Sequence, residues 1–371
     1  MPLTPERTAS GVTAAGMILQ PACFCYIFEP TDDHASIRNT AHAHMKPVLV
    51  TGASGMIGAR VVEQLRMRDM PVRVLLRSRA AGAETVRPAV GTVCGDTTDR
   101  SLLRGALLGC KAIVHCACTF NATSAFLAKG QEETYRRGIL DLTRALLEEA
   151  RAAGVERFVY VSSVAVYSQD VASPIREDAR LDPYSQYGRF KVQAEALVRE
   201  AHCDGLSTTI VRPCITYGPG DRHFGPAVRA LADTLLLPLP DGGRRLVDLV
   251  HVDDVARLLC RAASAAEASG QIYNAASGAP VTLRQIVELA RRPLRPARPW
   301  VVPLPGSLLV RFPALARGYL RIVAPSFADV MTPGGLRYLT RDVYFDVGKA
   351  ARELQYEPRM RAADALASAL S

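Results

Sequence analysis

The chain has 371 residues, 49% hydrophobic and 22% charged. That balance excludes a disordered chain and allows one large domain or two medium ones. The formal charge is +9, but the stretch from Arg291 to Arg321 holds seven arginines and no acid. The excess is therefore local, and with no aromatic-interleaved basic module a nucleic-acid partner is not expected.

Residues 1–45 contain the run MILQPACFCYIF, which is too short to span a bilayer and has no small-residue cleavage site. This segment is read as a disordered extension or a mis-assigned start. From Met45 the pattern becomes regular. PVLVT (47–51) is a short β-rich run, followed by a glycine turn and the helical IGARVVEQLRMRD. VRVLL (72–76), GTVCGD (91–96) and AIVHCA (112–117) read as the next strands. The helical EETYRRGILDLTRALLEEARAAG leads into RFVYVSS (157–163), and TTIVRP (208–213) and QIYNAA (271–276) complete the series. Near-continuous apolar strands separated by helices specify a parallel sheet covered on both faces. After Pro213 the pattern loosens into proline- and glycine-rich stretches. The expected architecture is an α/β Rossmann fold, a doubly wound parallel sheet with a smaller C-terminal lobe. Residues 46–213 and 247–276 form the nucleotide-binding domain, and 214–246 and 277–368 a substrate-binding lobe at the carboxyl ends of the strands. The nine cysteines are scattered, and Cys116 and Cys118 have no second pair or histidine cluster nearby. No metal is expected, and reduced thiols in a cytoplasmic protein are the reading.

VLVTGASGMIG (48–58) sets Gly52, Gly55 and Gly58 between a strand and a helix. The first permits a tight turn, the second close approach of a pyrophosphate, and the third close packing of helix on strand. Phosphates would then face the N–H groups of the helix start. A carboxylate at the end of the second strand would bind the ribose of NAD. That region instead reads Leu76, Arg77, Ser78, Arg79, and arginines suit a 2′-phosphate. NADP(H) is favoured, with NAD(H) as the alternative. Asp96, at the end of the third strand, is placed to accept from the adenine amino group.

Arginine is the default cation, since the chain has five lysines among 45 basic residues. One of them closes YGRFK, where Tyr187 and Lys191 share a helix face. The structural reading is an exposed i,i+4 pair worth a few tenths of a kcal/mol. The chemical reading is an acid/base pair. Bringing a tyrosine pKa from about 10 to near 7 takes about 4 kcal/mol, which a neighbouring ammonium can supply. Ser163, at the end of VYVSS, is placed to hydrogen-bond a substrate oxygen.

Taken together, TGASGMIG, VSSVAVY, YGRFK, RPCITYGPGD and LVHVDDVA resemble the extended short-chain dehydrogenase/reductase superfamily over about residues 46–366. The resemblance implies Ser163, Tyr187 and Lys191 as catalytic triad. It implies cofactor contacts from Gly52, Ser54, Gly55, Met56, Ile57, Gly58, Arg77, Asp96, Thr97, Cys116, Ala117, Tyr187, Lys191, Pro213 and Ile215. The helix-borne asparagine of the usual tetrad is replaced by Tyr135, three residues before Gly138. Nucleotide-sugar epimerases resemble R-x-x-N-x-Y-G after the sixth strand, whereas Ile215 stands at the Asn here, and Val247 replaces an arginine common in sugar enzymes. The tail LTRDVYFDVGKAARELQYEP (339–358) is similar to the 3β-hydroxysteroid dehydrogenase-like branch. The implied activity is interconversion of a secondary alcohol and a ketone on a small apolar substrate. Nucleotide-sugar 4-epimerisation and non-catalytic cofactor sensing are the alternatives. His223, in GPGDRHFGP, reads as a surface loop residue, with a place in the lining of the substrate pocket as the alternative.

In GSLLVRFPALARGYLRIV (306–323), Leu308, Phe312, Leu315, Tyr319 and Ile322 form one stripe at helical spacing, opposite Arg317 and Arg321, with Pro313 dividing two short helices. The stripe is either core of the second lobe or a basic amphipathic lid resting on anionic lipid. Peripheral membrane contact and a homodimer are the further associations considered.

Overall fold

The computed structural model describes residues 45–78, 91–118, 132–232, 236–291, 300–312 and 333–361, and within 313–321 Ala314, Arg317, Gly318 and Arg321. Seven strands pair in parallel: β1 (Val48–Thr51), β2 (Val72–Leu76), β3 (Gly91–Cys94), β4 (Ala112–His115), β5 (Arg157–Val161), β6 (Ser207–Pro213) and, much later in the chain, a strand at Ile272–Ala275. Their spatial order is Ile272–Ala275, β6, β5, β4, β1, β2, β3. Each of the seven expected strands lies within a residue or two of its sequence assignment. Val48 and Val50 face one side of the sheet and Leu49 the other, because side chains alternate along a strand. Both faces are covered, which is why β1, β4 and most of β5 are buried at every position and read as apolar runs.

On one face lie α1 (Met56–Arg66) and the helix Val252–Ala262, packed through Val61, Leu65, Val255 and Leu259. On the other lie α2 (Arg100–Leu107), α3 (Glu132–Tyr135), α4 (Leu142–Ala152) and α5 (Gln186–Cys203), packed through Leu103, Leu146, Ala194 and Val198. Between α3 and α4 the backbone widens into a π turn over Arg136–Asp141. Such turns concentrate at functional sites.

Three short two-stranded sheets follow, none of them in the sequence reading: β7 (Ile215–Tyr217) with Leu249–His251, Leu246–Val247 with Val281–Thr282, and Leu236–Pro240 with Trp300–Leu304. Pairings of two and three residues are too short for a period-2 signal, and the five-residue pair is broken up by Pro238, Pro240 and Pro303. They surround a third apolar cluster containing Tyr217, Val228, Leu237, Leu249, Ile286 and Leu309. In the amphipathic stretch, Leu308 and Phe312 are each 47% exposed, whereas Gly306 and Leu309 are buried. Leu315, Tyr319 and Ile322 lie outside the described residues, as do Pro313, Arg79 and residues 1–44. Among the described residues no helix is long and apolar enough to cross a membrane.

Candidate active site

The strand order reverses between β1 and β4, opening a crevice at their carboxyl ends. The glycines shape its wall. Gly52 has φ of +71°, and a Cβ there would lie 2.6 Å from the Ala117 amide nitrogen. A Cβ on Gly58 would lie 2.2 Å from the Gly52 carbonyl oxygen, so α1 cannot approach β1 with any other residue. α1 begins on Gly55, which offers no side-chain cap. Its first N–H groups are therefore left for a ligand, and an anion there also meets the positive end of the helix dipole. The residues present thus fit the pyrophosphate of a dinucleotide.

One cavity of about 1630 Å³ runs from this turn to the second lobe. Ser54, Gly55, Met56, Ile57, Gly58, Arg77, Thr97, Cys116, Ala117, Ser163, Tyr187, Lys191, Pro213 and Ile215 all line it. Asp96 does not. It is exposed, and its carboxylate accepts from the Thr98 N–H at 2.9 Å, which holds its pKa below the usual carboxylate range. His223 is exposed and lines the cavity as well, so the surface and pocket readings of that residue coincide.

Tyr187 and Lys191 sit in the first turns of α5, whose Ser185 cap accepts from the Gly188 N–H at 3.1 Å. Ser163 follows β5 and caps a short 3₁₀ turn, accepting from the Ala165 N–H at 3.2 Å. Tyr187 and Ser163 are hydrogen-bonded through their hydroxyls. The two elements can be this close because residue 188 is glycine. A Cβ there would lie 2.4 Å from the Ala165 carbonyl oxygen and 2.7 Å from Pro183 Cβ. The sequence signal was available, since glycine inside a helix costs about 1 kcal/mol and marks a close approach.

Lys191 is 2% exposed. Its ammonium donates to the Val161 carbonyl at 2.7 Å and lies 4.7 Å from the centre of the Tyr160 ring and 5.8 Å from that of Tyr187. The expectation of a lowered tyrosine pKa is not met. Burial raises the Tyr187 pKa above that of an ordinary phenol, and the Lys191 charge and the Ser163 hydrogen bond lower it only in part. The physical reason is that the phenol is partly withdrawn from water, while one ammonium N–H is committed to a backbone carbonyl. Tyr187 therefore stands as a neutral acid. Tyr135, at the position of the missing asparagine, is fully buried and meets the Tyr187 ring edge-on, centroids 6.3 Å apart.

Two polar networks support the site, and neither was visible in the sequence. Thr51 and His115 share a 2.7 Å hydrogen bond, His115 reaches Thr143 at 3.1 Å, and Thr143 donates to the Ile139 carbonyl of the π turn. Burial, aided by the Lys191 charge, drives the His115 pKa down to about 3, so the imidazole is neutral. Behind β5, Glu195 takes Arg212 in a two-pronged pair at 2.9 and 2.6 Å and accepts from Ser162. Both charges are buried. Burial alone would lower the Arg212 pKa, but Glu195 holds it raised. Arg212 also donates to the Tyr167 hydroxyl, which donates to Asn274. These bonds fix the end of β5, and with it the Val161 carbonyl that Lys191 uses and the place of Ser163.

Comparison with known proteins agrees with this geometry. The model of the NAD dependent epimerase/dehydratase family matches residues 48–276. The chain belongs to that family, and the protein is an NAD(P)-dependent enzyme of the extended short-chain type. It is 29% identical over 318 residues to 4-hydroxy-2-methyl-3-oxo-4-farnesyl-3,4-dihydroquinoline-1-oxide ketoreductase of Stigmatella aurantiaca, covering 84% of this chain and 92% of that one. It is 28% identical over 249 residues to 2-alkyl-3-oxoalkanoate reductase of Stenotrophomonas maltophilia, covering 65% and 73%. Among solved structures it is similar to DesIV, a dTDP-glucose 4,6-dehydratase of Streptomyces venezuelae with NAD bound, at TM-score 0.68 and 28% identity over 87% of this chain and 95% of that one.

Proposed function

We propose that the protein is an NAD(P)-dependent ketoreductase acting on an apolar substrate of the long-chain β-keto or 3β-hydroxysteroid type. One observation carries the reading. Ile215 and Val247, where sugar-nucleotide enzymes resemble one another in carrying Asn and Arg, both line the cavity that holds Ser163 and Tyr187. An apolar wall there removes the two polar partners those enzymes resemble one another in offering a nucleotide sugar, and suits an alkyl chain.

In this reading the substrate carbonyl oxygen lies between the two hydroxyls. Ser163 donates a hydrogen bond to it. Tyr187, kept protonated by burial, gives its proton to the oxygen as negative charge develops. Lys191 then stabilises the phenolate from within the fold. Hydride at the carbonyl carbon is the chemistry that a bound nicotinamide supplies. NADP(H) is taken as the preferred cofactor, because Arg77 stands at the end of β2 where a ribose-binding carboxylate would otherwise be.

Cofactor oxidation by the purified protein against ketosteroids, β-keto acids and UDP-sugars tests the proposal. A β-keto acid or ketosteroid is expected to turn over, and Tyr187→Phe to lower kcat by roughly 10²–10⁴. Epimerisation of UDP-sugars with no ketone reduced would refute it, as would a wild-type rate in Tyr187→Phe.

A further inference from the structure

Beyond Ser163 and Tyr187, the cavity is walled by Val164, Val171, Phe224, Val228, Leu283 and Ile286. Three cations interrupt that wall: Arg222, in the loop after β7; Arg337, in the last turn of the helix Pro333–Leu339; and Arg341, just beyond it. One carboxylate lies among them, Asp221, and it is spent on the backbone. It accepts from the N–H groups of His223 at 2.8 Å, Phe224 at 3.0 Å and Gly225 at 2.7 Å. Arg222 and Arg337 make no ion pair among the described residues. Arg341 reaches Asp170 at 3.6 Å, but that carboxylate is 72% exposed, so the pair is screened and weak. A 3.3 Å hydrogen bond to the Val171 carbonyl ties Arg341 over the segment that leads away from Ser163.

Arg222 and Arg337 are exposed and Arg341 is half-buried, but like charges on one cavity wall still raise its positive potential, and an anion entering there relieves it. Guanidinium forks also match carboxylate and phosphate in geometry, which ammonium groups do not. The positions that resemblance would give to anion recognition, 215 and 247, are apolar. The anion-binding chemistry therefore lies on different residues.

Resting on the ketoreductase reading, we infer that the substrate is an amphiphile. Its ketone sits at Ser163 and Tyr187 on an apolar body, and a carboxylate or phosphate that it also carries is held by Arg222, Arg337 and Arg341. The two anions would come from a free oxoacid or from a phosphate-bearing carrier thioester.

Direct binding of unreactive probes tests this without turnover. Dodecanoate, dodecyl phosphate and dodecan-1-ol are titrated calorimetrically, below their micelle concentrations, into the full-length protein. At least one of the two anions should bind about tenfold or more tightly than the alcohol, and the tighter anion identifies the source. Arg337→Gln and Arg341→Gln should each reduce that preference to within about threefold. Arg222→Gln, in an exposed loop, provides a variant that leaves the packing untouched, and thermal melting checks the fold of all three. Equal binding of the anions and the alcohol overturns the inference, as does a preference that survives all three substitutions. Reduction of neutral ketones with no preference for acids would sink this inference alone. Arginine-dependent anion binding with no ketone reduced would sink the ketoreductase reading alone.

Discussion

Gly188→Ala probes the site without touching a reacting group. The new Cβ would meet the Ala165 carbonyl oxygen at 2.4 Å, where ordinary contact begins at 3.4 Å. Backbone faces it on one side and Pro183 on the other, so α5 must retreat by about 1 Å from the turn that follows Ser163. Overpacking of this kind costs about 1–3 kcal/mol, and the helix preference of alanine returns about 1 kcal/mol of it. The net loss of stability is therefore small, about 0–2 kcal/mol. The effect on rate is not small, because a displacement of about 1 Å between catalytic groups costs about 10²-fold. The variant should show a near-normal melting temperature and a kcat about 10²-fold lower. Gly105→Ala is the control. It lies within α2, a Cβ there meets nothing within 4 Å, and stability should rise by up to about 1 kcal/mol with unchanged kcat. A Gly188→Ala enzyme with kcat within about threefold of wild type would show that contact between α5 and the Ser163 turn does not set the catalytic geometry.

Arg77→Asp should move relative affinity from NADP(H) toward NAD(H), because it removes a phosphate partner and adds an acceptor for ribose hydroxyls. Unchanged ratios of the two dissociation constants would count against the assignment. Neutral His115 makes a pH prediction. Its native pKa of about 3 lies below the ordinary 6.5, so in that window the unfolded chain binds a proton that the native state refuses. The contribution is complete above pH 6.5 and is lost as pH falls toward about 3, at up to about 1.4 kcal/mol per pH unit. In urea unfolding at several pH values, His115→Asn should flatten this slope whatever its absolute stability, and equal slopes would refute the claim.

The parallel sheet was legible in the sequence because its strands are buried on both faces, and burial writes itself as unbroken apolar runs. The glycine turn and the Tyr187–Lys191 pair were legible because each depends on residue type at fixed local spacing. What could not be read depends on distant contacts. Arg212 and Glu195 look like ordinary surface charges in an alternating helix and strand, and only the fold makes them a buried pair. Arg222, Arg337 and Arg341 sit in segments with no period, more than a hundred residues apart at the extremes. The raised Tyr187 pKa was missed because counting neighbouring charges neglects desolvation, which is the larger effect here.

The hydrogen bonds behind β5 also bear on how the chain is made. Asn274 accepts from Tyr167 and donates to the carbonyls of Ile175 and Asp346, while its own N–H reaches Glu177. Four stretches, from Tyr167 to Asp346, separated by up to 179 residues, therefore close on one point. Contacts this distant are slow to form, because loop closure precedes their reward. Residues 163, 187 and 191 leave the ribosome early, but one of the bonds bracing the scaffold around them waits until Asp346 has been synthesised and docked. A nascent chain halted before that residue carries every group of the triad but lacks the Asp346 bond that completes the bracing around Asn274.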